Sequence, residues 1–299
     1  MRINVAYAVP PQSKKATLWH DGFTAGMELI AETQTVRWLN VHPDTPALET
    51  NLAQLDDGDF LLVKSNWDWI VDRAVRRHCA RASIPKGLLI SGVGKPPAPR
   101  KMRFYDVLFY QTKWYELQLV AHPLRFHTYG IDTSVMSPRA GVEKDIDWLS
   151  VGQILPYKRH EWLLDRTGRR VVIGDLTQCD QALHRRLVDG GVEIVDFVDY
   201  PTLADYYRRS HTVLVACTVD GGGERALMEA LACGTHVEIA PDNPKLREIY
   251  EQPRVWDHHY YAQQLLLGIE EATKAKPQAQ ARTGRFGGRF SSLSIFRSR

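Results

Sequence analysis

The sequence predicts two doubly wound α/β domains, each a parallel sheet covered by helices, facing each other across a cleft. Three observations predict it. Short apolar strands alternate with amphipathic helices through both halves of the chain. A polar stretch from Ser137 to Lys144, bearing Pro138 and Gly141, separates the two series. A length of 299 residues, 44% hydrophobic and 24% charged, suits two cores of ordinary size. Ligands of such sheets sit at the carboxyl ends of strands, so the cleft is the expected site.

In the first domain, residues 1–140, Ile3 to Val9 reads as a strand ended by Pro10 and Pro11. A polar loop leads to Trp19-His20-Asp21-Gly22 and a helix from Phe23 to Ala31. Strands are expected at Thr35 to Val41, Phe60 to Lys64, Leu88 to Ser91, Val107 to Tyr110 and Arg125 to Tyr129. Helices are expected at Asp68 to Arg81, with Ile70, Val71 and Val75 opposite a face of arginines, and at Trp114 to Val120. The second domain, residues 141–272, has strands at Trp148 to Ile154, Arg170 to Ile173, Val192 to Val198 and His211 to Cys217. Its helices are His160 to Leu164, Gln181 to Val188, Leu203 to Arg209, Glu224 to Gly234, Pro244 to Tyr250 and Tyr260 to Ala272.

The richest stretch is Leu214 to Ala240, LVACTVDGGGERALMEALACGTHVEIA. Three glycines, Gly221, Gly222 and Gly223, stand between a strand and a helix. They let the backbone approach a ligand, and the first amides of a helix are unpaired donors carrying partial positive charge. A phosphate or diphosphate fits that geometry, so all three glycines are expected to offer amides to it. Within the helix Ala226, Leu227, Ala230 and Leu231 form an apolar stripe, while Arg225 and Glu229 share another face.

Composition narrows the setting. The start, MRINVAYAVPP, has one basic residue and no small-residue cleavage site, so it reads as a strand and not a signal peptide. No apolar run approaches the roughly 20 residues that span a bilayer. Cys79, Cys179, Cys217 and Cys233 are dispersed, with Cys217 and Cys233 in apolar surroundings, which fits a reducing, cytoplasmic setting. Seven of the 38 basic residues lie after Ala272, where no acid occurs, leaving 31 basic against 35 acidic in the body. The tail, residues 273–299, is Gly-, Ser- and Arg-rich and reads as disordered, with an RGG-like segment touching nucleic acid, an anionic membrane or a partner as the minority reading. Asp57-Gly58-Asp59 matches an Asp-x-Asp metal string but sits in a turn, and no His/Cys cluster occurs, so no metal is expected.

Three segments in order resemble the nucleotide-sugar glycosyltransferases of the GT-B fold, of the retaining family-4 type. They are Tyr129-Gly130-Ile131-Asp132-Thr133 with Pro138 following, WLSVGQILPYKRHEWLL from Trp148 to Leu164, and Asp220 to Glu238. The resemblance covers Tyr110 to Tyr250 and reaches the N-terminal part only in architecture. It implies transfer of a sugar from a nucleoside diphosphate donor to an acceptor held by the first domain, with retention of configuration and no cofactor beyond the donor itself. By resemblance Lys158 binds the diphosphate with Arg159 beside it, and Glu229 contacts the donor ribose. Residues around Phe197 to Tyr200 are candidates to flank the base but do not identify it.

Three departures matter. The family's arginine is Gln153 here, so either Arg159 substitutes for it or phosphate binding weakens. The family's first glutamate falls on Gly221, leaving Asp220 or Glu224 to supply a carboxylate to the sugar. On the first domain, Asp21-Gly22 is the candidate for the turn approaching the diphosphate, with His20 and Asp21 as acceptor contacts. A family histidine is replaced in Ser91-Gly92-Val93-Gly94-Lys95, where Lys95 or the glycine backbone is left to face the donor. A GT-B-type binding protein without turnover, supported by the missing arginine and glutamate, is the main alternative. A nucleic-acid-modifying transferase is a further one. A Rossmann-type epimerase is disfavoured because no G-x-G-x-x-G follows the first strand.

Overall fold

A computed structural model describes residues 1–65, 69–92, 95–251 and 256–284, the last nine of them as backbone only. The first sheet has six parallel strands in the order β2-β1-β3-β4-β5-β6. They are β1 (Arg2–Tyr7), β2 (Thr35–Asn40), β3 (Phe60–Lys64), β4 (Lys86–Leu89), β5 (Val107–Tyr110) and β6 (Arg125–His127). The central strands carry unbroken apolar runs because helices cover both faces: Phe60 to Val63 are wholly buried. Helices α1 (Lys15–Leu18), α2 (Gly22–Ala31), α3 (Leu48–Ala53), α4 (Ile70–His78), α5 (Pro99–Met102) and α6 (Lys113–Gln118) connect them. Asp68, the expected start of α4, lies outside the described residues.

The second sheet is parallel as well, in the order β11-β10-β7-β8-β9. Its strands are β7 (Ile146–Val151), β8 (Arg170–Ile173), β9 (Glu193–Val195), β10 (Ser210–Val215) and β11 (His236–Ile239). Helices α7 (Gln181–Asp189), α8 (Tyr200–Arg209), α9 (Glu224–Ala232) and α10 (Pro244–Glu251) belong to it. The strand order reverses between β1 and β3 in one sheet and between β7 and β10 in the other. Such switch points open a crevice at the strands' carboxyl ends. Here the loops after β1, β3, β7 and β10 supply the residues that meet between the domains.

The last helix, α11 (His258–Gly284), departs from the sequence expectation. Tyr261, Ala262, Leu265, Ile269 and Ala272 pack into the first domain's core with Phe23, Met27 and Phe109. Residues 258–272 therefore belong structurally with the first domain, because their apolar stripe is buried against α2 and that sheet. The helix also continues to Gly284, into the stretch read as disordered; residues 285–299 lie outside the described residues. A second difference follows Lys158, where His160–Asp165 forms a 3₁₀ helix and not an α-helix. Its N-cap, Arg159, is left-handed (φ 54°) and no side chain caps the turn.

The chain crosses between domains twice, and the crossings pair: the Ile131 amide donates to the Trp256 carbonyl at 3.0 Å. Gly130 is packed so tightly that an added Cβ would lie 2.3 Å from the Asp257 carbonyl oxygen. Gly22, at the start of α2, presses on the same pivot, with a Cβ position only 1.9 Å from the Gly130 oxygen. Its glycine serves this backbone contact and not a diphosphate, which corrects the reading of Gly22 as a donor contact. Gly22→Ala is expected to lower stability by about 3 kcal/mol, as overpacking against backbone does; a urea melt would measure it, and an unchanged midpoint would contradict this packing.

Candidate active site

Asp21 caps α2. Its carboxylate accepts from the Phe23 and Thr24 amides, each at 3.0 Å, and Thr24 closes the capping box. The other oxygen accepts from Trp19 Nε1 at 2.9 Å and pairs with Arg225 of the opposite domain. Burial would push this carboxyl up, but Arg225, Lys64 and the hydrogen bonds hold it at about 2. The group is thus committed to the fold and to Arg225, which corrects its assignment as an acceptor contact. His20 does face the cleft; its Nε2 lies 2.8 Å from Asp132, whose hydrogen bond raises the imidazole's pKa.

Two chambers meet in the cleft. The first, about 320 Å³, is bounded by Val9, Pro10 and His42 of one domain and by Ile173, Gln178, Phe197, Val198 and Leu203 of the other. The second, about 210 Å³, is bounded by Lys64, Ser65, Ser91, Gly92, Gln111 and Tyr129 on one side and Gly221 to Glu224 on the other. Five residues border both: Lys15, Gln153, Lys158, Gly223 and Arg225. Three of these are cations, and the junction also receives the N-terminus of α9, whose N-cap Gly223 offers no side chain to its amides. An anion is the natural occupant of that junction.

The three glycines before α9 do not share one task, which corrects their reading as a single phosphate-binding run. Gly223 alone borders both chambers. Gly222 borders only the second, with a left-handed φ of 71° that favours glycine. A Cβ on Gly222 would lie 3.2 Å from the Gly92 Cα of the opposite domain. Its missing side chain thus serves the close approach of the two domains, beside the second chamber. Gly221 also borders only the second chamber and packs on Tyr157. A Cβ there would sit 2.8 Å from the tyrosine's ring and carbonyl, which is why no side chain stands in that position.

The loop after β7 explains how Lys158 reaches the junction. Gly152 has φ 146°, and a Cβ on it would touch the Lys158 stem at 3.1 Å. Below the loop, buried His160 contacts Ser150 Oγ at 2.9 Å and the Gln153 carbonyl at 3.0 Å. Burial lowers its pKa to about 4 against the opposing hydrogen bond to the Gln153 carbonyl, so it is a neutral tie. Gln153 accepts from the Tyr157 hydroxyl at 2.6 Å and donates to Gln178 at 3.2 Å. It stays in the cleft as an uncharged donor and acceptor.

Arg159 does not replace the missing arginine. Its left-handed backbone turns the guanidinium away, where both terminal nitrogens bond Asp242 at 2.7 Å. Of the two carboxylates offered for the sugar, Asp220 is exposed and borders neither chamber, whereas Glu224 is buried and borders the second. Glu224 faces Lys245 Nζ at 3.1 Å across a fully buried pair. Lys95 is exposed and borders neither chamber, and Val93 and Gly94 lie outside the described residues.

Glu229 is buried one turn below Arg225 and accepts from the hydroxyls of Tyr200 at 3.1 Å and Tyr207 at 3.0 Å. Burial pushes its carboxyl up to about 7, against the pull of Arg225 and the two tyrosines. A raised acid holds a proton in the folded state that the unfolded chain has released. It therefore costs stability as pH rises from its ordinary value of 4.5 to about 7. Glu229→Gln is expected to flatten that part of the melting temperature against pH, a comparison that scanning calorimetry of the two proteins makes directly.

Lys15 and Lys64 were not singled out from sequence. Lys15 opens α1, beyond the loop after β1, and the pKa of its ammonium is lowered to about 8 by burial and then by Arg225 and Lys64. Lys64 ends β3 and lies 5.2 Å from the Phe23 ring centre and 5.4 Å from that of Trp19. No motif marks either. The places of Lys64 at the carboxyl end of β3, and of Lys15 at the start of the helix that follows β1, are the only signal. Asp57 and Asp59 are occupied structurally, Asp57 with Arg37 and Asp59 with the Arg2 amide. Among the described residues no cluster of three metal-ligating side chains occurs, and no helix is long and apolar enough to cross a membrane.

Two parallel doubly wound sheets with facing switch points, and a cationic junction between them, define the GT-B architecture. Solved glycosyltransferase structures share this fold. The chain is similar to AviGT4, a glycosyltransferase involved in avilamycin A biosynthesis, at 15% identity over 92% of this chain and 98% of that one, with a TM-score of 0.60. It is similar to HepE of Anabaena, solved with UDP and glucose, at 10% identity over 95% and 99%, with a TM-score of 0.59. Sucrose-phosphate synthase of Thermosynechococcus elongatus matches at 14% identity over 96% and 99%, with a TM-score of 0.60. No protein-family model matches the sequence. No curated protein matches it either.

Proposed function

We propose that this protein is a glycosyltransferase that moves a sugar from a nucleoside diphosphate donor to an acceptor bound against the first domain. The observation that carries the reading is the junction itself, where Lys15, Lys158, Arg225 and the α9 amides surround the point at which two chambers meet. A nucleotide fits the first chamber, its ribose toward Glu229 and its base toward Phe197 and Val198. The diphosphate lies at the junction and the sugar in the second chamber, against Gly221 and Gly222. HepE, solved with UDP-glucose as well, supports a uridine nucleotide as the first to try.

Lys158 stabilises the charge that develops on the departing diphosphate, a contribution that grows in the transition state. The local cations stand where a divalent ion would otherwise neutralise that charge, so we propose metal-independent transfer. The two carboxylates bordering the second chamber, Asp21 and Glu224, are each held by a cation. Neither is free to deprotonate an acceptor, which supports same-face displacement with retention, the departing phosphate oxygen taking the acceptor's proton. Melting curves with UDP, GDP and ADP sugars, with and without magnesium, test the reading. Stabilisation by one nucleotide class without metal is the expected result, and no stabilisation by any of them would refute it.

A further inference from the structure

The second chamber holds one charge that the donor's diphosphate does not explain. Arg225 is matched by Asp21, and Lys245 matches Glu224. Lys15 and Lys158 border both chambers at the junction, where the donor's diphosphate answers their charge. Lys64 differs from all of these. It borders only the second chamber, beyond the junction, and makes no ion pair among the described residues. Asp21 is the carboxylate that acts on it through space, and that group is already taken by Arg225. Aromatic rings of Trp19 and Phe23 shield its ammonium from the strand side, and burial lowers its pKa. A lysine held in partial desolvation without an anion of its own is costly unless a ligand supplies one.

An independent observation lies in the same chamber. Tyr129 borders the chamber, and its hydroxyl is buried with no hydrogen-bond partner. A buried hydroxyl left unpaired is costly, and a ligand that accepts from it removes that cost. Ser65, Ser91 and Gln111 add neutral polar groups to the same wall. At about 210 Å³ the chamber holds the equivalent of roughly seven waters of about 30 Å³ each, which suits one sugar-sized group.

We propose that Lys64 and the Tyr129 hydroxyl form a subsite for an anionic substituent, a carboxylate or phosphate, carried by the transferred sugar or by the acceptor. The inference rests on the nucleotide-sugar reading and names the substrate class that reading leaves open. Lys64 supplies the countercharge and Tyr129 a directed hydrogen bond, so a neutral hexose in the same place leaves both unsatisfied.

Calorimetric titration of wild type, Lys64→Gln and Tyr129→Phe decides it, with UDP alone as the reference. UDP-glucuronate against UDP-glucose reads the sugar as the source of the anion. Glucose 6-phosphate against glucose, both with UDP saturating, reads the acceptor. The expected result is a preference of tenfold or more for the anionic member of one pair in the wild type. That preference falls to about twofold or less in Lys64→Gln and drops partway in Tyr129→Phe, while the affinity for UDP is kept. Equal binding of charged and neutral members by the wild type overturns the proposal, as does a Lys64→Gln variant that loses UDP itself, since Lys64 would then belong to the diphosphate site. A wild type that fails to bind UDP instead strikes the underlying reading, and the subsite falls with it.

Discussion

Lys158→Ala is expected to lower turnover about 100-fold or more while leaving the melting temperature of the free protein nearly unchanged. The first half follows from position. Lys158 borders both chambers, has no carboxylate partner among the described residues, and stands where the leaving diphosphate gathers charge. Removing one preorganised donor from such a site typically costs about 10²–10³ in rate. The second half follows from the same freedom. With no ion pair among the described residues to break, what is lost is the packing of its stem beside Gly152 and the place of its ammonium over the Tyr157 ring, and such changes usually stay within about 0.5 kcal/mol. Nucleotide affinity should fall along with turnover. A wild type that binds the donor but shows no transfer to lose would identify a binding protein instead. Normal turnover in the variant would remove Lys158 from the leaving-group role.

The parts of this site that lie within one continuous motif were legible in the sequence. Gly223, Arg225 and Glu229 follow one strand into one helix, so their relative placement is set by local geometry alone. Lys158 and Gln153 were legible for the same reason. The alternation of strands and helices marked both sheets, because buried parallel strands and amphipathic helices have distinct periods. What failed depended on a single backbone angle or on distant packing. Arg159 adjoins Lys158 in sequence, yet its left-handed φ of 54° sends it to Asp242. Gly221 and Gly222 adjoin Gly223, yet what requires them to be glycine is Tyr157 in one case and Gly92 of the other domain in the other. Asp220 and Glu224 flank the same glycines, but only the second is drawn inward, by Lys245 from α10. Lys15 and Lys64 enter the cleft because β1 and β3 are neighbours in the sheet, a pairing across 57 residues at Ile3 and Phe60 that no local pattern reveals. The return of α11 to the first domain is likewise a matter of which apolar face finds which partner.

Distant packing is most concentrated at Asp21, where one carboxylate holds both a helix and the domain interface. Asp21→Ala is expected to destabilise the protein by about 3 kcal/mol. The lost N-cap accounts for about 1 kcal/mol. The rest comes from the broken pair with Arg225 and the freed hydrogen bond of Trp19. Arg225 is 48% exposed and can turn to water, which keeps the ion-pair loss below what two wholly buried charges would give. Asp21→Asn separates the contributions: it keeps an oxygen for the Phe23 and Thr24 amides but removes the charge, so it should cost about half as much. The pH dependence gives a second, independent reading. Because the folded carboxyl is held at about 2 against an ordinary 3.8, its stabilisation is complete above its unfolded value and is lost as pH falls from about 4 to about 2. Wild type should therefore lose stability across that window more steeply than Asp21→Asn. Parallel acid limbs for the two proteins would mean that Arg225 and Lys64 do not hold Asp21 ionised. In that case the charge that ties α9 to α2 across the cleft would have to come from elsewhere.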